Sequence, residues 1–296
     1  MSSIYGGSTI TIATTGATDG TKGCFLKPPR FISKVHMELA TGEVWDIAPS
    51  KFYGSVIKSP LTARAWAVQE RFLSPRMLHF SKTGLFWECR HCDASETFPE
   101  GCPAFEHGHI FHRDRKPISE IWDTIISLYT GSQLTFASDK MVAISGLAQM
   151  TFKENADQYL AGLWRKDIEL QLLWCQQRPG RRLLPGSKYR APSWSWASVD
   201  EKGFVSYYPR QERLEYVYYA HVIGAYIVPA GKELFGELKG GELRMSYSVM
   251  LVGQLRIETT KRNISYSKVE INSRDNNKES FWVYSDSDEL DGVARV

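Results

Sequence analysis

The first ninety residues alternate between apolar and polar positions in short stretches that Gly- and Thr-rich turns separate. The stretches "STITIAT" (8–14) and "KVHMELATGEVWDI" (34–47) predict three strands, because β-branched residues alternate along them and a Thr-Gly turn divides the second one. The stretch "RMLHFSKTGLFWEC" (76–89) predicts a hairpin that turns at Lys82-Thr83-Gly84. The N-terminal part is therefore predicted to be β-rich.

The middle of the chain changes to a helical period. We predict three helices, over "PISEIWDTIISLYTG" (117–131), "SDKMVAISGLAQMTFKE" (138–154) and "DQYLAGLWRKDIELQLLWC" (157–175). In the first of them, Trp122, Ile125 and Tyr129 share the stripe that would face a core. From residue 191 to the C-terminus the pattern is again mostly that of strands.

This order of elements predicts the α+β fold class. We expect β-rich N- and C-terminal parts around a central group of about three to four helices, in a single compact unit. Residues 1–190 would form the main scaffold, and residues 191–296 would form a β-rich region packed on it. The alternative is two separable domains with a boundary near residue 190.

The stretch "TARAWAVQERFLSPRMLHF" (62–80) predicts a helix that Pro75 ends, followed by a strand. At helical spacing Glu70 falls in line with Trp66 and Leu73, so the carboxylate is either catalytic or part of a buried ion pair. We expect the second, because a buried carboxylate must be paired or neutralised. Its partner would be Arg64, Arg76 or backbone N–H groups.

Composition limits the classes of protein that need to be considered. The chain has 296 residues with 43% hydrophobic residues and a net charge of +3, which is too small by itself to indicate a nucleic-acid partner. The N-terminus has no signal-peptide pattern, and no apolar run approaches the ~20 residues of a membrane span. Five Cys without an export signal predict reduced thiols and a cytoplasmic location.

A cluster of Cys and His residues raises the question of a metal site. A structural zinc ion needs four such ligands in a tetrahedron, and one C-x-x-C without a matching second pair is a weak signal. We therefore predict no metal and an ordinary polar loop with buried thiols, with zinc as the alternative. The cluster consists of Cys89, His91, Cys92, Cys102, His107, His109 and His112.

Other signatures of chemistry are absent or weak. The sequence has no G-x-S-x-G nucleophile elbow and no phosphate-binding glycine motif, so we predict no cofactor. Basic and aromatic residues alternate over residues 178–196, as in platforms for single-stranded nucleic acid. A solvated loop ahead of a core strand explains this short segment better, and we predict no nucleic-acid partner.

The chain is rich in aromatic residues, with 9 Trp, 14 Tyr and 14 Phe. Many of them must be buried in the core or line a pocket for an apolar ligand, and the sequence leaves both interpretations open. The tryptophans that we select as pocket walls are Trp66, Trp87, Trp194 and Trp196.

Three blocks together resemble the fungal heterokaryon-incompatibility (HET) domain family. The first is "SSIYGGSTITIAT" with "GCF" at residues 23–25. The second is "PLTARAWAVQERFLSPRMLHFSKTGLFWEC" (60–89). The third runs from "LTFASDKMVAISGLA" (134–148) through "YLAGLW" to "YRAPSWSWASVD" (189–200). Their order and spacing match the family over about residues 1–200, whereas the last hundred residues resemble no family that we can name.

The chain also departs from this family. The family's N-terminal block, with its Ser-Tyr-x-Trp-Gly and Asp-x-x-Cys-Ile motifs, is not in the sequence, and Ala65 replaces the usual Gly of R-G-W. That block carries most of the family's likeness to the Toll-receptor-like NAD-cleaving fold. The resemblance therefore does not imply NAD cleavage or death signalling here.

HET-like proteins of fungal biosynthetic gene clusters resemble this shortened form and are linked to cyclisation. The resemblance implies a cofactor-independent cyclase, which would hold an apolar terpenoid between aromatic walls. We select Arg64, Gln69 and Arg71 as its catalytic hydrogen-bond donors. Such a protein needs an apolar cavity of roughly 300 Å³ or more. The alternative is a non-enzymatic interaction protein of the allorecognition type, which would present an exposed apolar patch. A homo-oligomer is compatible with both.

Overall fold

The computed structural model describes the chain in two compact units, Met1–Ile121 and Trp122–Val296. Some stretches are described by their backbone alone. The residues described are 2–26, 35–38, 40–42, 44–47, 52–89, 91–102, 117–176, 181–182, 188–200, 205–207, 218, 220–247, 253–259, 265–272 and 278–283.

The first unit combines short strands with two short helices. It contains helix α1 (Ser2–Gly6), strands β1 (Thr11–Ala13), β2 (Val35–Glu38) and β3 (Val44–Ile47), a π-helical turn (Tyr53–Ile57), helix α2 (Ala65–Leu73), strands β4 (Arg76–Phe80), β5 (Leu85–Cys89) and β6 (Asp93–Ser95), and a 3-10 turn (Ile118–Ile121). The predicted hairpins are present, since β2 pairs with β3 and β4 pairs with β5, both antiparallel.

A four-stranded sheet in the order β1-β4-β5-β6 forms the centre of this unit. Strand β1 runs parallel to β4, and the other two pairs are antiparallel. Along β4 and β5 every second side chain is buried, which is the pattern of a sheet with one face against a core. The buried core on that inner face includes Val56 of the π-helical turn and Phe52, the residue directly before this turn, packed with Phe86 of β5.

Helix α2 ends where the sequence predicts it. The N–H of Ser74 bonds the carbonyl of Glu70, and the Ser74 hydroxyl donates to the same carbonyl at 2.7 Å. Pro75 follows, and it cannot donate the backbone hydrogen bond that a further turn would need. The chain then enters β4 directly, so α2 and β4 are held close together.

The second unit contains most of the helices and the long C-terminal strands. Its elements are α3 (Trp122–Gly131), 3-10 turns (Ala137–Lys140 and Val142–Ile144), α4 (Ser145–Asn155), β7 (Tyr159–Leu160), β8 (Leu163–Trp164), α5 (Ile168–Gln171), β9 (Cys175–Gln176), β10 (Arg181–Arg182), a 3-10 turn (Trp196–Ser198), β11 (Val199–Asp200), β12 (Val205–Ser206), β13 (Ala220–Pro229), β14 (Leu238–Tyr247), β15 (Gly253–Thr259), β16 (Ser265–Asn272) and β17 (Lys278–Val283).

The predicted third long helix over residues 157–175 is wrong. This segment forms the tight hairpin β7–β8 and the four-residue helix α5. Ala161 and Gly162 make the turn with φ values of 51° and 94°, and two consecutive positive φ values favour a hairpin turn over a helix. Leu160, Leu163 and Trp164 are buried nonetheless, so their apolar spacing was a core signal but not a helical one.

The core of the second unit is built around the carbonyl of Gly162. The indole N–H groups of Trp122 and Trp196 both donate to this oxygen, at 2.9 and 3.2 Å. Trp164 meets Trp122 edge-on with ring centroids 5.4 Å apart, and Tyr129 meets Trp196 in the same way at 5.9 Å. One turn carbonyl thereby satisfies two buried donors that would otherwise be costly to bury.

Side chains cap the edge of β13 that faces away from β14. The N–H of Val222 donates to Glu169 Oε1 at 2.9 Å, and the carbonyl of Val222 accepts from Arg165 Nη2 at 2.8 Å. Further along the strand, Gln158 Nε2 donates to the carbonyl of Ala225 at 3.4 Å. The segment from Gln158 to α5 therefore supplies partners that a neighbouring strand would otherwise supply at these positions.

These elements confirm the α+β class. The division of the chain at residues 121 and 122 differs from the boundary near residue 190 that the sequence suggested as an alternative. Within the residues that the structure describes, no helix combines the length and the apolar character that crossing a membrane requires.

We predict that Gly162→Ala destabilises the second unit by about 2 kcal/mol or more. An added Cβ would lie 2.6 Å from the ring of Trp196, and alanine is strained at φ +94°. The free energy of unfolding from urea denaturation, followed by tryptophan fluorescence, measures this loss. Gly231→Ala is the matched control because its Cβ would point into open space. Equal stability of the two variants would contradict the prediction.

Candidate functional site

An apolar row crosses the outer face of the four-stranded sheet. Its members are direct cross-strand partners: Ile12 pairs with Leu78, Leu78 with Trp87, and Trp87 with Ala94. Side chains of directly paired residues project from the same face of a sheet, so the four form one continuous line. Ile12, Leu78 and Trp87 of this row are at least partly exposed, whereas Ala94 is buried.

An open cavity with a volume of about 390 Å³ lies over the part of this row formed by Leu78, Trp87 and Ala94. It exceeds the roughly 300 Å³ that the cyclase hypothesis requires, although it is open to solvent on one side. Cys92 and Glu96 are among its polar residues. Its apolar lining includes Leu78, Leu85, Trp87, Ala94 and Pro99.

The inner face of the same sheet carries a buried charge network. Arg71 of α2 donates two hydrogen bonds to Glu88 of β5, from Nε to Oε2 at 2.8 Å and from Nη2 to Oε1 at 2.9 Å. His79 Nε2 lies 3.0 Å from Glu88 Oε2, and His79 Nδ1 lies 2.9 Å from the hydroxyl of Thr15. All four residues are buried, so one carboxylate connects a helix, two strands and the loop after β1.

Thr15, His79 and Glu88 have the order of a nucleophile, a base and an orienting acid, as in hydrolytic triads. Burial argues against that role, since Thr15 and His79 are 0% exposed and Glu88 is 1% exposed. A substrate cannot reach a hydroxyl in this position, and Arg71 already occupies both oxygens of the carboxylate. The network is therefore structural.

The three predicted catalytic donors lie on or beside α2. Arg71 is buried in the ion pair with Glu88, and Gln69 is buried in the same helix. Arg64 is exposed at the N-terminus of the helix. Because Glu88 and Trp87 are consecutive in a strand, they project to opposite faces. The sheet therefore separates Arg71 from the cavity at Trp87, and the structure does not bring the two together.

Glu70 differs in part from the expectation. It is half-buried, whereas the sequence predicted a largely buried carboxylate, and the hydroxyl of Tyr5 donates a hydrogen bond to it. Burial raises the pKa of Glu70, while the bond from Tyr5 and the charge of Arg64 act to lower it. The buried Arg–Glu pair that the sequence suggested for this stretch is formed by the neighbouring Arg71 with Glu88.

The other predicted pocket walls have different positions. Trp66 is half-buried in the first turn of α2. Trp196 is fully buried in the second unit, and Trp194 packs against the cluster of Leu160, Ile168 and Val222. Among the four selected tryptophans, Trp87 is the one that lines the large cavity.

The segment of mixed basic and aromatic residues contributes to the core of the second unit. Arg190 is buried, and its Nε donates to the carbonyl of Ala197 at 2.7 Å. Lys188 instead forms an exposed ion pair with Glu237 at 3.4 Å. Arg190 and Trp196 therefore have structural roles in the core. Residues 178–180 and 183–187 of this segment lie outside the described residues.

The Cys and His cluster forms no metal centre in the described part of the chain, where no group of three or more potential ligands is found. Cys89 and Cys92 lie close together, with 3.9 Å between their sulfur atoms. His107, His109 and His112 lie outside the described residues. The five cysteines are unbridged. The prediction of buried thiols in this loop is wrong, because Cys89 and Cys102 are partly exposed and Cys92 is exposed at the turn.

Comparison of the chain with protein-family models, with curated proteins and with solved structures gives no match in any of the three. The resemblance to the HET family stays a prediction from the sequence motifs.

We predict that Glu88→Gln lowers the free energy of unfolding by about 3–5 kcal/mol, because Arg71 would keep a buried charge without its counter-charge. Urea denaturation followed by circular dichroism measures the change. Glu242→Gln is the control, since Glu242 pairs with Arg244 on the exposed surface and its removal is expected to have little effect. A loss at Glu88 no larger than that at Glu242 would show that the network is dispensable.

A second prediction concerns pH. The raised pKa of Glu70 means that the folded protein binds this proton more tightly than the unfolded chain. The stabilisation is complete below the ordinary pKa of a glutamate and is lost as the pH rises through the raised value. Relative to Glu70→Gln, the wild type therefore loses melting temperature as the pH rises above the ordinary pKa of a glutamate, about 4.3, and through the raised pKa of Glu70.

Glu242 provides the control of opposite sign. The hydrogen bond from Arg244 lowers the pKa of Glu242, so its contribution to stability is lost as the pH falls. Because this pair lies on the exposed surface, the effect of Glu242→Gln is small, and its sign across the same series of thermal melts should be opposite to that of Glu70→Gln. Parallel behaviour of the two variants would refute the assignment for Glu70.

Proposed function

We propose that the chain binds a small apolar molecule in the cavity at Trp87 and acts as a cofactor-independent cyclase of the intramolecular Diels–Alder type. The substrate would be a terpenoid of fungal natural-product biosynthesis, and closure of a norbornene ring in a diterpenoid is a reaction of this kind. The observation that carries the proposal is the cavity of about 390 Å³ above the apolar cross-strand row. The sequence resemblance supplies the reaction class.

The physical requirements of such a reaction agree with this site. An intramolecular cycloaddition needs neither a nucleophile nor an acid–base pair, but it needs the reactive conformer to be held. Restricting that conformer removes part of the entropic barrier. A sheet face whose apolar row includes an indole ring offers an apolar surface for this purpose.

The buried charge network on the inner face of the sheet supports the outer face that carries Trp87. Arg71 and His79 both contact the carboxylate of Glu88, which directly follows Trp87 in β5. These contacts fix β5 relative to β4, which carries Leu78, the cross-strand partner of Trp87. We assign Glu88 and Arg71 as positioning residues, which act on the substrate only through the shape of the sheet.

A specific observation also favours the alternative, a non-enzymatic interaction protein. Phe25 is 91% exposed and meets the ring of Phe80 edge-on at 5.7 Å, and Ile12 at the end of the row is 62% exposed. Exposed apolar side chains in the unit that carries the cavity suit a protein partner as well as a small molecule. This alternative predicts capture of a stable protein partner and no chemical turnover.

The test is incubation of the pure protein with diene-containing terpenoids, followed by chromatography and mass spectrometry. We expect a product of unchanged mass and changed retention time. Trp87→Ala should reduce its formation at least tenfold, because the variant loses the central wall of the cavity. Ile223→Ala is the control, since it removes an exposed apolar side chain in the second unit and should leave the rate unchanged.

Two results would count against the cyclase. One is a Trp87→Ala protein that is folded and as active as the wild type. The other is a wild-type protein that forms no product but captures a protein partner, with this capture abolished by Trp87→Ala. That result would establish the interaction role on the same surface.

A further inference from the structure

The turn between β5 and β6 carries a pair of thiols that the proposed cyclisation does not use. Its sequence is C-R-H-C, with Cys89 as the last residue of β5 and Cys92 directly before β6. The N–H of Cys89 donates to the carbonyl of Cys92 at 3.0 Å, and the next pair inward is Glu88 with Asp93. The two cysteines are therefore a hydrogen-bonded cross-strand pair that closes the hairpin.

This geometry is compatible with a disulfide. Hydrogen-bonded partners in an antiparallel pair have Cα atoms about 5.5 Å apart, which lies inside the range that disulfides span. The two sulfur atoms already face each other at 3.9 Å. Closing this gap to a bonded distance of about 2 Å is within reach of side-chain rotation, so the ladder between β5 and β6 can persist.

The two thiols are not equivalent. The sulfur of Cys89 receives the backbone N–H groups of His91 and Cys92, each at 3.4 Å, and a hydrogen bond from the side chain of Trp87. Burial acts to raise the pKa of the Cys89 thiol, but these bonds together lower it. Cys92 is exposed as a residue, but partial desolvation of its sulfur raises the pKa of its thiol. The charges of Cys89 and Asp93 add to that effect.

We propose that Cys89 and Cys92 form a thiol–disulfide exchange site that reacts with low-molecular-weight disulfides, with Cys89 as the attacking thiolate and Cys92 as the resolving thiol. The donors around the Cys89 sulfur stabilise its thiolate, which is the nucleophile in this chemistry. Cys92 is exposed at the turn and adjoins the cavity, so a small disulfide can approach the pair. This site does not depend on the proposed cyclase activity.

The exchange takes two steps. The Cys89 thiolate attacks one sulfur of the small disulfide, which forms a mixed disulfide on Cys89 and releases one small thiolate. Cys92 then loses its proton to solvent, and its thiolate attacks the Cys89 sulfur and expels the second small thiolate. Both released thiolates take up protons according to the pH. Two protein thiols are oxidised to one protein disulfide, and one small disulfide is reduced to two thiols.

A disulfide explains the pair better than a metal ion. A structural zinc site needs four ligands, and the described residues supply no third candidate beside these two sulfurs. The hydrogen bonds that the Cys89 sulfur accepts also stabilise its anion without a metal. The carbonyl of Cys92 accepts the N–H of Cys89 in the hairpin.

The test is reaction of the full-length reduced protein with oxidised glutathione at neutral pH, with intact mass and peptide mapping as readouts. We expect the wild type to lose two hydrogens, with the bond mapped between Cys89 and Cys92. Cys92→Ser should stop at the mixed disulfide and gain one glutathione on Cys89. In Cys89→Ser, reaction at this turn should be at least about tenfold slower, because the activated sulfur is gone.

Cys24→Ser and Cys175→Ser are the matched controls, since neither residue belongs to the pair, and both should behave as the wild type. A wild-type protein that keeps all five thiols would overturn the proposal, as would glutathione appearing on Cys92 in preference to Cys89. Protection of the two thiols from alkylation by stoichiometric Zn²⁺, lost on adding a chelator, would replace it with a metal site.

Discussion

One buried carboxylate determines how the first unit is assembled. Glu88 cannot be buried alone, because the desolvation of an unpaired charge would outweigh the packing that surrounds it. Arg71 brings helix α2 to it, His79 brings the neighbouring strand, and Thr15 extends the chain of contacts to the loop after β1. Apolar contacts around Phe52 and Phe86 fill the remaining space, but they have no directional preference of their own.

The alternation of side chains in β5 connects this network to the proposed chemistry. Successive residues of a strand project to opposite faces, so the residues on either side of Glu88 must face outward. Those residues are Trp87, the wall of the cavity, and Cys89, the proposed attacking thiolate. The buried charge therefore sets the register that exposes both, and the hydrogen bond from Trp87 to the Cys89 sulfur joins them on the outer face.

The sequence predicted those elements whose signals are local. The hairpins and the end of α2 at Pro75 depend on turn residues and alternation, and they are present. The prediction was wrong over residues 157–175, because the apolar spacing there reflects burial around the Gly162 carbonyl, which distant tryptophans share. The sequence also assigned the buried ion pair to Glu70 instead of Glu88, since it could not show that Tyr5 would reach Glu70. Tertiary partners of this kind leave no periodic pattern in the sequence.

The capped edge of β13 also bears on how copies of the chain can associate. A bare edge strand is a template on which another chain can add a strand, and repeated addition leads to open-ended polymers. Glu169, Arg165 and Gln158 are already bonded to the backbone of Val222 and Ala225, so an incoming strand could pair at these positions only by displacing those side chains. The same bonds that complete the fold of one molecule thus oppose its conversion into an aggregate.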